Sequence, residues 1–243
     1  MPAFPSLAAR SEKKEIIDER TLAPEEMRSV YRLIGCVNRW LGGYQVLLSH
    51  LSRFSRNWDK NKVVSILDVG AGDASIPRAI ADWASREGFN VRITALDICP
   101  ETLKLAGTTL GPSYPGISLL RASAAVLPFA DKSFDYVIAS MFFHHLPDDV
   151  IPGVLRQFDR IARRGIIVND LLRRRRAYYG IMLAGLLSAD PVFRHDSALS
   201  VLRGFKEKEV RALIERSGLR YLKVSKHYAH RIAIAGEKHD ERL

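Results

Sequence analysis

Between Val63 and Asp170 short runs rich in β-branched residues alternate with stretches of helical periodicity, and this alternation limits the chain to very few architectures. The strand candidates are 63–69, 90–97, 117–121, 134–140 and 165–170. The helix candidates are 76–86, the segment opening at Pro100, and 148–162, where Pro152 falls in a first turn that has no N–H partner to lose. Strands separated by helices form right-handed βαβ crossovers, so the sheet is expected to be parallel and covered on both faces. Beyond it, 173–193 reads as an inserted helical segment. Lys206–Ser217 reads as a helix closed by Gly218. Residues 219–226 and 228–236 then read as two strands with almost no connection, which requires an antiparallel pair.

Ahead of the alternation, residues 1 to about 20 read as a mobile tail. From Pro24, Met27, Val30, Tyr31, Ile34, Val37, Leu41, Tyr44, Leu48 and Leu51 recur at intervals of three and four, with Gly42-Gly43 interrupting. This predicts two helices or one bent helix. The expected organisation is an N-terminal tail and helical cap over 1–60 and a core over 61–243, with a helical substrate-covering insertion at about 173–203. A hydrophobic content of 47% excludes a disordered chain. The two cysteines, Cys36 and Cys99, are too few for a disulfide framework and fit a reducing, cytoplasmic setting. The longest apolar stretch, Ala177–Leu187, is about half of the roughly 20 residues a membrane span needs.

The most informative segment is the strand–turn–helix at Leu67-Asp68-Val69-Gly70-Ala71-Gly72-Asp73-Ala74-Ser75. Glycines there let the backbone turn sharply and approach a ligand closely. Asp97 ends the next strand, where a carboxylate accepts both hydroxyls of a ribose. In the dinucleotide register G-x-G-x-x-G the third glycine is replaced by Ser75, which argues against a nicotinamide cofactor.

Leu67–Gly72 resembles the first motif of the class I S-adenosylmethionine-dependent methyltransferases. Ala125-Val126-Leu127-Pro128-Phe129 with Ser133–Val137 resembles that family's approach to its fourth strand, and Met141–Leu146 resembles the segment that leaves it. The pattern is most similar to the small-molecule branch that includes quinone-biosynthesis methyltransferases. The resemblance implies a Rossmann-like, seven-stranded, mostly parallel α/β sheet with helices on both faces and a C-terminal antiparallel pair. It implies S-adenosylmethionine held by Asp68, Gly70, Ala71, Gly72, Asp97, Ile98, Ser123, Ala124 and Ser140. Two positions depart from the pattern. Ala74 stands where the family often has a third glycine, and Ser123 stands where relatives usually carry an aspartate facing adenine. A hydroxyl accepts without charge assistance.

Transfer from an activated sulfonium to a phenol or acidic carbon needs a base. His144 and His145 follow the fourth strand on the same sheet edge as Gly70 and Asp97, so either is a candidate. Asn169-Asp170 ends the fifth strand and is expected to face the cleft as well. In the insertion, Tyr178, Tyr179, Ile181, Met182, Leu183, Leu186 and Leu187 are candidates to wall an apolar pocket. His195-Asp196 would add polar selectivity, and Trp40 and Tyr44 would close the other side. The motifs require no metal. The expected reaction is methylation of a small aromatic, phenolic or polyketide/quinone-like acceptor, at oxygen first and carbon second. The alternatives are an RNA or protein methyltransferase and a non-catalytic cofactor binder. The excess of 37 Lys+Arg over 27 Asp+Glu gathers at Arg173–Arg176, with Arg163-Arg164 nearby. That run suits a peripheral membrane contact, a nucleic acid or a solvated face. Nucleic acid is disfavoured because no Asn/Asp-Pro-Pro-aromatic motif comes after the fourth strand and no RNA-binding module is evident.

Overall fold

The computed structural model describes residues 5–238. Among the described residues seven strands form one sheet: β1 (Val63–Val69), β2 (Asn90–Asp97), β3 (Ile117–Arg121), β4 (Phe134–Ser140), β5 (Ala162–Leu171), β6 (Lys223–His227) and β7 (Arg231–Glu237). Their order is β3-β2-β1-β4-β5-β7-β6. The first five are parallel, and β7 runs antiparallel between β5 and β6. The antiparallel pair is thus as expected. Its connection is the tight turn Tyr228–His230, in which Ala229 and His230 both adopt positive φ.

The central strands β1, β4 and β5 carry apolar residues on both faces because helices cover both. On one face Leu67, Val69, Val137, Ala139, Ile166 and Val168 pack against α6 (Ile151–Ile161) and α9 (Glu207–Ser217). On the other, Ile66, Tyr136, Ile138 and Ile167 meet α3 (Gly43–Phe54) and α4 (Ser75–Glu87). The chain order reverses at β1, which lies between β2 and β4. In open α/β sheets that is where ligands bind, outside the carboxyl ends of the strands.

The interrupted pattern at Gly42-Gly43 resolves into two helices. α2 (Pro24–Trp40) ends before Gly42, whose φ of 73° starts α3. The inserted segment also divides in two, α7 (Arg175–Leu186) and α8 (Pro191–Arg203), with the Asp190 side chain capping α8 at Phe193 N. Among the described residues no helix is long and apolar enough to cross a membrane.

The expectation of a mobile tail is corrected over residues 5–20. The Ser11 amide donates to Leu202 O at 3.0 Å. The Arg10 guanidinium lies 4.2 Å from the Phe205 ring centroid and donates to the carbonyls of His144, Leu146 and Arg203. The short helix α1 (Ile16–Glu19) is anchored by Asp196, whose carboxylate accepts from the amides of Ile16 and Ile17. This segment is a strap across α8 and the sheet edge.

Candidate active site

A cavity of about 1100 Å³ runs along the carboxyl edge of the sheet between the strap, α2 and α7. All eleven residues expected to bind the cofactor or act as base line it: Asp68, Gly70, Ala71, Gly72, Asp97, Ile98, Ser123, Ala124, Ser140, His144 and His145. Lining gives each of them a place; the contacts each one makes decide what it can do there.

At the glycine turn the backbone geometry explains the sequence. Gly70 has φ 74°, and a Cβ on it would lie 2.6 Å from the Phe142 ring; Gly72 has φ 56°, and its Cβ would lie 2.9 Å from the Tyr31 ring. Both positions therefore need glycine twice over, for φ and for space. Gly70→Ala is expected to lower stability by about 1–3 kcal/mol, read by denaturant unfolding, because a strained φ and a clash with the Phe142 ring act together. Ala74 caps α4 at φ 59°, fully buried, so the position of the missing third glycine is still left-handed.

Asp97 is fixed by two backbone bonds, accepting from Gly72 N at 2.9 Å and Cys99 N at 3.0 Å. Asp68 is different. Its carboxylate is buried, lines the cavity and has no hydrogen-bond partner on either oxygen. Burial, with the Asp97 charge adding to it, pushes its pKa up to about 8. A buried carboxylate is normally paired. An orphan one opening into a cavity between two close-approach glycines and a strand-end aspartate fits a cationic ligand bearing a ribose. The residues present therefore suit S-adenosylmethionine. Ser123 Oγ already accepts from Ala125 N at 3.2 Å, which leaves one hydroxyl lone pair and its proton for a ligand.

The two histidines sit on a one-turn 3₁₀ segment, Phe143–His145, directly after β4. The His144 ring is buried, and its Nδ1–H donates to Asp170 Oδ1 at 2.8 Å, while its amide donates to Asp170 Oδ2 at 3.1 Å. The strand register explains the contact: Ser140 pairs with Asn169, so Asp170 stands beside the start of the β4 loop. Burial alone would raise the Asp170 pKa, but the His144 ring and the amides of Leu171 and His144 outweigh it and hold the carboxyl below its ordinary value. Asp170 is thus an ionised acceptor that fixes the His144 tautomer and leaves Nε2 as its available ring nitrogen. His145 is held the same way by the strap, its Nδ1 2.9 Å from Asp18 Oδ2. The two imidazole centroids are 4.2 Å apart.

Glu15, also from the strap, places Oε1 3.6 Å from His144 Nε2. That oxygen is buried and makes no hydrogen bond, and burial raises the Glu15 pKa to about 7 against the opposing pull of His145 and the Ser200 hydroxyl. Glu15, His144 and His145 each bring a potential ligand atom within 4.8 Å of the others. The Arg203 guanidinium lies 3.9 Å from Glu15 and 3.1 Å from Asp18, so positive charge is already provided there and a second cation would be repelled.

Several expectations are corrected. Asn169 and Asp170 do not line the cavity: Asn169 Nδ2 donates to Ser140 Oγ at 2.9 Å, and Asp170 reaches the site through His144. Of the seven apolar residues expected to wall a pocket, Ile181 lines the cavity. Tyr178 and Met182 pack into the α7–α8 core, the Tyr179 ring meets that of Tyr178 edge-on, and Leu183, Leu186 and Leu187 face outward. Trp40 borders the cavity but Tyr44 does not. Asp196 lines it while anchoring the strap, and His195 stays outside it with Nδ1 2.8 Å from Asp196 Oδ1. Arg173 does not belong to a basic surface. It is buried, donating to Leu7 O and Gly204 O and pairing with Glu209 at 2.5 Å. Residue order pointed to none of Glu15, Asp18 and Arg203; the only local hint was the apolar pair Ile16-Ile17 between the two acids.

Known proteins share the sequence pattern and the fold that build this cavity. Residues 66–165 match a family model described as "Methyltransferase domain". A demethylmenaquinone methyltransferase of Bacillus pumilus is 28% identical over 172 residues, 65% of this chain and 71% of the relative. A ubiquinone/menaquinone biosynthesis C-methyltransferase of Rickettsia felis is 35% identical over 100 residues, 40% of each chain. In the relatives from Lysinibacillus sphaericus and Bacillus licheniformis the match likewise takes in 41% and 42% of the relative's length. A solved structure of an S-adenosylmethionine-dependent methyltransferase homologue from Methanococcus maripaludis aligns with TM-score 0.63 at 13% identity, over 96% of this chain and 99% of that one. One from Aquifex aeolicus gives 0.59 at 15%, over 89% and 99%. These likenesses show the seven-stranded, mostly parallel Rossmann-like fold, and the glycine turn, β4 and the histidine pair all fall within the residues similar to the methyltransferase domain.

Proposed function

We propose that the chain transfers a methyl group from S-adenosylmethionine to a small hydroxylated aromatic or quinone-like acceptor, with His144 as general base and Asp170 as its positioning residue. The observation that carries this reading is the bond from His144, which lines the same cavity as Asp68, the glycine turn and Asp97, to the buried Asp170 behind it.

The bound cofactor would supply an activated methyl on a sulfonium. Asp97 would accept from its ribose hydroxyls, Asp68 would face its positive charge, and Ser123 and Ala124 would border its adenine. His144 Nε2 takes the proton of the acceptor hydroxyl, and Asp170 stabilises the imidazolium that results. Ionised Glu15, 3.6 Å from Nε2, adds to that stabilisation. The strap and α2 keep bulk water from these groups. The phenolate formed is nucleophilic at oxygen and at ring carbon. Oxygen is our first assignment; carbon is the second, favoured by the names of the quinone-biosynthesis relatives.

Incubation with methyl-labelled cofactor and a panel of phenols, quinols and RNA tests the reading. Label in solvent-extractable product is expected. Label confined to RNA or protein, or none, would reject it. Because Ser123 lacks the charge of an aspartate, calorimetry is expected to give micromolar cofactor affinity, and Ser123→Asp about a fivefold gain.

A further inference from the structure

The cavity has two ends. Asp97, Ile98 and Ser123 mark the cofactor end. At the other end the lining residues are themselves solvent-exposed: Trp40, Arg176, Gly180 and Ala184. The surface around this second mouth is unusual in both charge and polarity. It is built from three segments, the end of α2, the outer face of α7 and the Tyr228–His230 turn. The turn touches the junction between α2 and α3, since a Cβ on Gly42 would lie 3.9 Å from the Tyr228 ring. It is also near α7, since the charges of Arg174 and Arg176 lower the pKa of His230, after burial, the larger cause.

Exposed on these segments are Trp40 (74%), Tyr228 (80%), Leu183 (63%), Leu186 (61%) and Leu187 (86%). Monomeric proteins rarely gather so many large apolar side chains on one surface without a partner. The charge is one-sided. No Asp or Glu occurs between Glu26 and Asp59, between Asp170 and Asp190, or between Glu215 and Glu237. Those stretches supply the exposed Arg39, Arg174, Arg175 and Arg176 to the same face. A helix with arginines at one end, leucines along its outer side and an interfacial Trp and Tyr beside it has the composition of a surface that lies in the headgroup region of a bilayer.

We propose that this face docks the protein onto an anionic lipid surface, which sets the second mouth of the cavity against the bilayer so that an apolar molecule enters from the lipid. The occupant is a lipid surface and not a nucleic acid, because the arginines at the start of α7 are followed along its exposed side by leucines rather than by polar residues able to reach bases or phosphates.

The test is co-sedimentation of the full chain with vesicles of phosphatidylcholine alone and with vesicles that also contain phosphatidylglycerol. Binding is expected to the anionic vesicles and to weaken with added salt. Arg174→Glu/Arg175→Glu should lower the partition on the order of tenfold or more. Leu183→Ser/Leu187→Ser should lower the binding that survives at high salt. Calorimetry of the same variants with S-adenosylmethionine separates this proposal from the reading of the active site, since affinity for it should be unchanged. Equal sedimentation with neutral and anionic vesicles, or variants that partition like the parent, would overturn the docking surface. So would arginine-dependent binding to RNA in place of vesicles.

Discussion

Replacing His144 by Gln is expected to lower kcat for methyl transfer on the order of 10²- to 10⁴-fold, the usual worth of a positioned general base. Cofactor affinity should stay near that of the parent. The variant removes a ring whose Nδ1 pairs with a buried, ionised Asp170, so part of the cost will fall on stability. Asp170→Asn separates the two effects. It keeps an acceptor at the position but removes the charge that stabilises the imidazolium. A loss of kcat in Asp170→Asn with a folded protein and unchanged cofactor affinity identifies the pair as an acid–base device. Unchanged turnover in both variants would show that His144 only packs the loop. Glu15→Gln gives a milder form of the same experiment. Because Glu15 ionises at about 7, the parent should gain rate through that pH as its charge develops beside Nε2, and the variant should not.

The second large effect is expected at Asp68. Its pKa is raised from 3.8 in the unfolded chain to about 8 in the fold, chiefly by burial. Below about 4 both states carry the proton and the fold has its full stability. As pH rises from 4 toward 8 the unfolded chain releases the proton while the folded one retains it, so stability falls; above 8 both are ionised and the loss is complete. The ligand-free protein should therefore weaken by several kcal/mol over this window, and Asp68→Asn should flatten the dependence. A cationic ligand reverses the sign. It favours the ionised carboxylate, so S-adenosylmethionine should bind with proton release below pH 8 and tighten by up to tenfold per pH unit until that point. Calorimetry in buffers of different ionisation enthalpy reads the proton directly. Binding with no proton release at pH 7, together with an unchanged profile in Asp68→Asn, would remove Asp68 from the cofactor site.

The features legible from residue order alone divide from the rest along a physical line. The strands from Val63 to Asp170, Gly70, Gly72 and Asp97 are determined by local chemistry: β-branched runs, positive φ and a strand-end carboxylate. They were legible because their meaning depends on near neighbours. Glu15 and Asp18 were not. They sit in a charged stretch, Ser11–Glu19, with the composition of a solvated tail. Their partners, His144, His145 and Arg203, lie far along the chain, 127 positions for Asp18 to His145 and 185 for Asp18 to Arg203. Arg173 failed the same way from the opposite side: within four consecutive arginines nothing distinguishes the one whose carbonyl acceptors, Leu7 and Gly204, are supplied by tertiary structure. The outward-facing leucines of α7 were misassigned to a pocket wall because helical periodicity identifies an apolar face but not what covers it.

The strap carries a consequence for how the protein becomes competent. Arg10 reaches Arg203 across 193 positions, Ile16 reaches Asp196 across 180, and Asp18 reaches Arg203 across 185. The residues that complete the histidine pair are thus synthesised early, and the surface that receives them is synthesised late. Such closures are slow, and they are the first to open. The sheet and its glycine turn can form without them, so a folded but catalytically idle species should precede the finished enzyme. Local detachment of one short segment would return the molecule to that species without unfolding it. In hydrogen exchange, amides of Ser11, Ile16 and Ile17 should open well before those of β1 and β4, and their opening rate would set how often the site stands incomplete.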